Sequence, residues 1–94
     1  MAMNFVEADL QVAALKQQSA VAAHVARLLS LYKKELMHAW AGVEVDWLCK
    51  AIDIQVRACE KISDDSDVLS RDMTQAIQEI LSEEAAAGSA DTSA

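Results

Sequence analysis

Proline is absent from this chain of 94 residues, and glycine occurs only twice, at Gly42 and Gly88. Because these two residue types interrupt helices and form turns most readily, the chain has few places to turn. Aromatic residues are also scarce, whereas alanine, the best helix former, is abundant. The composition predicts one small all-α domain, and we expect it not to be an enzyme, since a rod of helices offers no concave pocket.

Basic residues are scarce in the second half of the chain. Up to Cys59, six acids balance six bases, so the formal net charge of -7 lies after Cys59. An acidic surface repels phosphate, which argues against nucleic acid and anionic membranes as partners. Alternatively, these acids only keep an apolar helix in solution.

Long apolar runs are missing as well. No stretch approaches the roughly 20 apolar residues of a membrane span, and residues 1–5 lack the basic and apolar segments of a signal peptide. We expect a protein made in the cytoplasm and not inserted in a membrane. If it is exported, it leaves without a cleaved signal peptide.

The residues that could carry chemistry are too far apart to act together. His24 and His38 would lie about 21 Å apart on one helix, too far to share a metal. The acids of residues 64–67 lack the glycine and glutamate of a calcium loop. Cys49 and Cys59 would lie about 15 Å apart, which excludes a disulfide within one helix and favours core packing, with an intermolecular disulfide as the alternative. We expect no metal and no cofactor.

Two long helices account for most of the sequence. Asn4 and Glu7 resemble a capping box, which begins helix one, at about residues 5–39. Gly42 can end a helix at a turn over residues 40–43. Helix two then covers about residues 44–82, and residues 83–94 are expected to form a disordered tail outside the hairpin domain of residues 1–82.

Each helix shows apolar residues three and four positions apart, which is typical of an amphipathic helix. The expected core face of helix one comprises Ala14, Val21, Ala22, Val25, Leu28, Leu29, Tyr32, Leu36 and Trp40. That of helix two comprises Val45, Leu48, Ile52, Val56, Cys59, Ile62, Leu69, Met73, Ile77 and Ile80. The polar residues 63–67 could end helix two and begin a third helix, but the apolar spacing keeps its phase across them, so we expect one helix with a bendable middle.

Helix two carries a second apolar stripe beside its core face. We call Trp47, Ala51, Ile54 and Ala58 the outer stripe. A helix with two adjacent stripes is expected to pack against two neighbours, so a partner chain would complete a four-helix bundle as a homodimer or heterodimer. Alternatively, the outer stripe is a wide edge of the core.

The motif Trp40-Ala41-Gly42 at the only expected turn resembles the WXG superfamily of small type VII secretion proteins. The similarity covers roughly residues 5–82. It implies that Trp40 and Gly42 shape the end of the hairpin. It also implies a helical dimer, exported folded by a membrane ATPase, or a dedicated partner of the helical N-terminal region of an LXG toxin.

The chain departs from this family in its export signal. Many exported members carry Tyr-x-x-x-Asp/Glu after helix two, whereas here the single tyrosine, Tyr32, lies in helix one with Leu36 at the acidic position. Phe5 and Asp9 match a Phe-x-x-x-Asp variant, but they equally suit the first turns of a capped helix. This favours a subunit that depends on its partner for export. The rival functions are a cytoplasmic coiled-coil chaperone of another secretion system and a structural homodimeric adaptor.

Overall fold

The chain folds into two long antiparallel helices, as the sequence predicts. The computed structural model describes residues 4–93, and the side chains up to Gly88; residues 1–3 of the expected hairpin and residue 94 of the expected tail lie outside this part. Helix α1 spans Phe5–Ala39 and helix α2 spans Val43–Ser93. The hairpin is a thin rod of 79 × 17 × 15 Å.

Local interactions define where the helices begin and end. The Asn4 side chain accepts a hydrogen bond from the Glu7 backbone N–H at 3.1 Å, and its amide contacts the Glu7 carboxylate, which confirms the expected cap. Trp40 ends α1 in an extended conformation while its N–H donates to the Leu36 carbonyl at 2.9 Å. Gly42 has a φ of 130°, a conformation that side chains disfavour, so the turn requires glycine here.

The buried and half-buried residues of both helices alternate at spacings of three and four, which is the heptad spacing of a coiled coil. We call these residues the interhelical seam. On α1 they include Phe5, Ala8, Val12, Leu15, Ser19, Ala22, Ala26, Leu29, Lys33 and Leu36. On α2 they include Val45, Cys49, Ile52, Val56, Cys59, Ser63, Ser66, Ser70, Met73, Ile77 and Ile80.

The centre of the interhelical seam consists of small and partly polar side chains. The hydroxyls of Ser19 and Ser63 lie 3.0 Å apart in a hydrogen bond across the helices, and the Gln18 amide donates to the Ser66 hydroxyl at 3.1 Å. Ser70 is 2% exposed, and its hydroxyl donates to the Asp67 carbonyl of its own helix. In the described residues every buried side-chain nitrogen or oxygen has a partner, so this polar centre leaves no unsatisfied group.

The expected core faces were correct only in part. Ala22, Leu29 and Leu36 of α1 lie in the seam, as do seven of the ten expected residues of α2. The other members are exposed: Ala14, Val21, Val25, Leu28, Tyr32 and Trp40 on α1, and Leu48, Ile62 and Leu69 on α2. At most of these places the seam residue is the next one along the chain, and near the centre it is a small one, such as Ala22, Ala26, Ser63 or Ser70.

Helix α2 is one continuous helix, as expected, but it is longer than expected. It continues without a break through residues 63–67, because Ser63 and Ser66 face α1 and make the hydrogen bonds described above. It also continues to Ser93, where we expected a disordered tail. Alanines at residues 85–87 favour the helix, and residues 82–88 are exposed because they extend past the start of α1.

A candidate partner-binding surface

Seven exposed large apolar residues lie along one side of the interhelical seam. In heptad notation the seam occupies positions a and d, with Phe5 and Cys49 both at a. Positions g and c border one side of the seam, and positions e and b border the other. The large apolar residues at g and c form what we call the apolar edge: Val21, Val25, Leu28 and Tyr32 of α1, with Leu48, Ile62 and Leu69 of α2.

Two open grooves between the helices show that positions g of α1 and α2 lie on the same side of the seam, and positions e and b on the other. One groove is lined by Gln11 at position g of α1 and Ala76 at position g of α2. Val25 lies two heptads after Gln11, and Ile62 lies two heptads before Ala76, so both belong to that side. The second groove is lined by residues at e and b, among them Ser30 and Glu60, on the opposite side.

The apolar edge is uncovered in the single chain. Leu28 is 51% exposed and Ile62 is 46% exposed, and no large side chain in the described residues is completely buried. A compact protein of this mass would expose about 5,300 Å², whereas the hairpin exposes 7268 Å². These exposed apolar residues on an extended hairpin are consistent with binding of a protein partner.

The outer stripe lies beside the apolar edge on α2. Trp47 and Ile54 are 73% and 60% exposed, and Ala51 and Ala58 are exposed as well. Trp47 and Ile54 occupy position f, while the two alanines occupy position c, on the same side of the seam as Ala76. The four predicted interface residues therefore face solvent together and continue the apolar edge around α2.

The other predicted residues lie at the two ends of the rod. Trp40 and Gly42 form the turn, but the Trp40 side chain is 68% exposed, so within this chain it supports the turn through its backbone. Phe5 is half-buried in the seam and Asp9 is exposed in the same first turns of α1. Cys49 and Cys59 are free thiols in the seam, as core packing predicts.

All charged residues on the side of the apolar edge are acidic. Between Asn4 and Leu81, the charged residues at positions g and c are Glu7, Glu35, Glu44, Asp65, Asp72 and Glu79. The nearest base is Lys61 at position f, which bonds Asp65 at 2.9 Å. This hydrogen bond, with the charge of the carboxylate, raises the pKa of Lys61 above its ordinary value.

The opposite side of the hairpin, which we call the charged edge, carries both signs. Its bases at positions e and b are Lys16, Arg27, Lys34, Lys50, Arg57 and Arg71, and its acids are Asp9, Asp46, Asp53, Glu60, Asp64 and Asp67. Lys33 of the seam bonds both oxygens of Asp53, at 2.7 and 3.0 Å. Arg57, four residues further on, donates to the Asp53 backbone carbonyl and not to its carboxylate. The charged edge is balanced, and the apolar edge is not.

No family model, curated protein or solved structure matches the chain. Among the described residues, neither helix is long and apolar enough to cross a bilayer. The fold and the surface therefore define a class, an elongated antiparallel helical hairpin with an uncovered apolar edge suited to a protein partner, without a family assignment. Sequence reasoning found the outer stripe but assigned the apolar edge to the internal core. The three-and-four spacing of the small residues Ser19, Ala22 and Ala26 was the sequence signal that would have distinguished the apolar edge from the internal core.

Proposed function

We propose that this hairpin is a WXG-like accessory or substrate protein of a type VII secretion system, which acts by binding and not by catalysis. Its partner would be the helical N-terminal region of an LXG-type toxin or a sibling hairpin, whose export the complex supports. One observation carries this proposal: the apolar edge runs along both helices and has nothing to cover it in the single chain.

The turn supports the WXG-like part of the proposal. Trp40-Ala41-Gly42 occupies the connection between the two helices, and Gly42 has the positive φ that a glycine in such a motif would supply. The exposed Trp40 side chain lies at the tip of the hairpin. In a complex, this indole would be available to a neighbouring helix.

The exposed apolar residues explain how binding would be stabilised. Burying the exposed part of an aliphatic side chain contributes about 1 kcal/mol at 25 cal/mol per Å². Several such residues from the apolar edge and the outer stripe, buried together, can offset the entropy lost on association. A partner that supplies two amphipathic helices would complete a four-helix bundle.

The interface can be tested by co-purification. A tagged chain is co-expressed with a helical toxin or hairpin encoded beside its gene, and Ile54→Asp is compared with Gln78→Asp. Both changes add one negative charge to an exposed position of α2, but Gln78 lies at position b on the charged edge. We expect Ile54→Asp to lose the partner and Gln78→Asp to retain it, with equal helicity by circular dichroism. Unchanged co-purification of Ile54→Asp would remove the outer stripe from the interface.

The secretion role needs a separate experiment. We expect the chain and its partner in the culture supernatant of the producing cell, and neither when the membrane ATPase of the secretion system is deleted. Export of the partner while the chain stays in the cell would favour the chaperone alternative. Export that persists without the ATPase would contradict a type VII role.

A further inference from the structure

We propose that the apolar edge binds a helical partner whose own apolar stripe is bordered by basic residues, and that it does not bind a second copy of this chain. This inference rests on the partner binding of the proposed function, and it specifies the partner's chemistry. The observation behind it is the separation of charge between the two sides of the seam.

Along the paired length of the hairpin, the basic residues that border the seam all lie on the charged edge. Six acids and no lysine or arginine occupy positions g and c between Asn4 and Leu81. Six bases and six acids occupy positions e and b. The apolar edge therefore carries most of the formal net charge of -7, although it is also the most apolar side of the molecule.

A second copy would fit this surface poorly. Residues at g and c would lie in the contact with a helix packed on this side, and charges beside an apolar coiled-coil seam help to select the partner. Two copies packed edge to edge would bring two sets of acids together with no base at these positions. Lys61 offers little relief because it is already bonded to Asp65. Like charges across an interface disfavour association, whereas opposite charges speed it and improve specificity.

A partner helix with basic residues beside its apolar stripe would match both the apolar residues and the acids of the apolar edge. Its large apolar side chains would cover Leu28, Ile62 and Leu69, and its lysines or arginines would face Asp65 and Asp72. The balanced charged edge would remain in solvent. The number of complementary pairs would then decide which helical proteins bind and which do not.

Two synthetic probes test the inference directly. Each is an amphipathic helical peptide of about four heptads, with the same leucine and isoleucine stripe, bordered in one peptide by lysines and in the other by glutamates. Their binding to the full chain is measured by calorimetry. We expect the lysine peptide to bind on the order of tenfold more tightly, as a few exposed ion pairs allow, and this preference to fall as salt is added.

Matched charge reversals locate the effect. The double variant Asp65→Lys with Asp72→Lys changes the apolar edge, and Asp64→Lys with Asp67→Lys makes the same change in net charge on the charged edge. We expect the first variant to lose or reverse the preference between the peptides and the second to retain it. Equal binding of both peptides to the unchanged chain, or an equal effect of the two variants, would overturn the inference.

A third experiment measures self-association of the chain. We expect the chain alone to sediment as a monomer at low micromolar concentration. A dimer that Ile62→Asp dissociates would overturn the exclusion of a second copy. None of these measurements involves export, so the inference can fail while the secretion role stands, and loss of secretion would leave the charge selectivity intact.

Discussion

The centre of the interhelical seam and the apolar edge differ in the size of their side chains, because the smaller residues lie between the helices and the larger ones face solvent. The centre of the seam is built from Ser19, Ala22 and Ala26 against serines of α2. The apolar edge presents leucine, isoleucine, valine and tyrosine to solvent. Folded proteins ordinarily bury their largest apolar residues and expose their small polar ones. The difference supports the proposal that a partner covers the apolar edge.

The two surfaces also differ in how much stability they can contribute. Alanine and serine bury little apolar area, so the centre of the seam depends on close approach and on hydrogen bonds that contribute about 1 kcal/mol each. The apolar edge has more area to bury, but only against another chain. We infer that a partner stabilises the folded hairpin by mass action, because it binds the folded state alone.

The largest expected effect comes from placing a charge on the apolar edge. Leu28→Asp should raise the partner's Kd about thirtyfold or more, as removal of a central interface residue does. Ala20→Asp, at an exposed position b of the same helix, is the control and should change the Kd little. Calorimetric titration measures both. Equal effects would mean that the two edges do not differ in function.

A smaller loss is expected when the seam is overfilled. Ala26 is 5% exposed between the helices, so Ala26→Leu should lower the free energy of unfolding by about 1–3 kcal/mol. Urea denaturation followed by circular dichroism measures the change. Ala20→Leu adds the same side chain outside the seam and should stay within about 0.5 kcal/mol. Stabilisation by Ala26→Leu would contradict close packing at the centre.

The serine pair permits a finer test of the polar centre. Ser19→Ala or Ser63→Ala alone should cost about 1 kcal/mol, since each leaves the other hydroxyl without its partner at 3.0 Å. The double variant should cost less than the sum of the single variants, because neither hydroxyl then remains. A double-mutant cycle in urea measures the coupling. Strict additivity would show that the two hydroxyls do not interact.

The smallest effect is expected at the ion pair between the helices. The side chains of Lys33 and Asp53 are 29% and 42% exposed, and solvent screens such a pair. Lys33→Met should therefore change the free energy of unfolding by less than about 1 kcal/mol, and the methionine can pack in the seam. The same urea titration measures it. A loss of several kcal/mol would place this pair among the main stabilising contacts of the hairpin.

Particular residues show how far sequence reasoning reached. The cap at Asn4, the turn at Gly42 and the two helices followed from local chemistry that the sequence displays. Leu28 and Ile62 were assigned to the internal core, because an apolar pattern shows which faces avoid water but not which neighbour covers each face. Ser63 and Ser66 looked like a possible break in α2. They pack in the seam because their hydroxyls find partners on α1.

The sequence by itself determined the all-α class, the two-helix hairpin and its single turn, because helix propensity and glycine's backbone freedom act over a few residues. It also contained the outer stripe, which the structure leaves exposed. Tertiary structure alone decided which side of each helix faces the other, since that choice depends on side-chain volume and hydrogen bonds across residues more than forty positions apart. By pairing small residues at the centre of the seam, the fold leaves the large residues of the apolar edge and the acids beside them outside, where a partner can reach them.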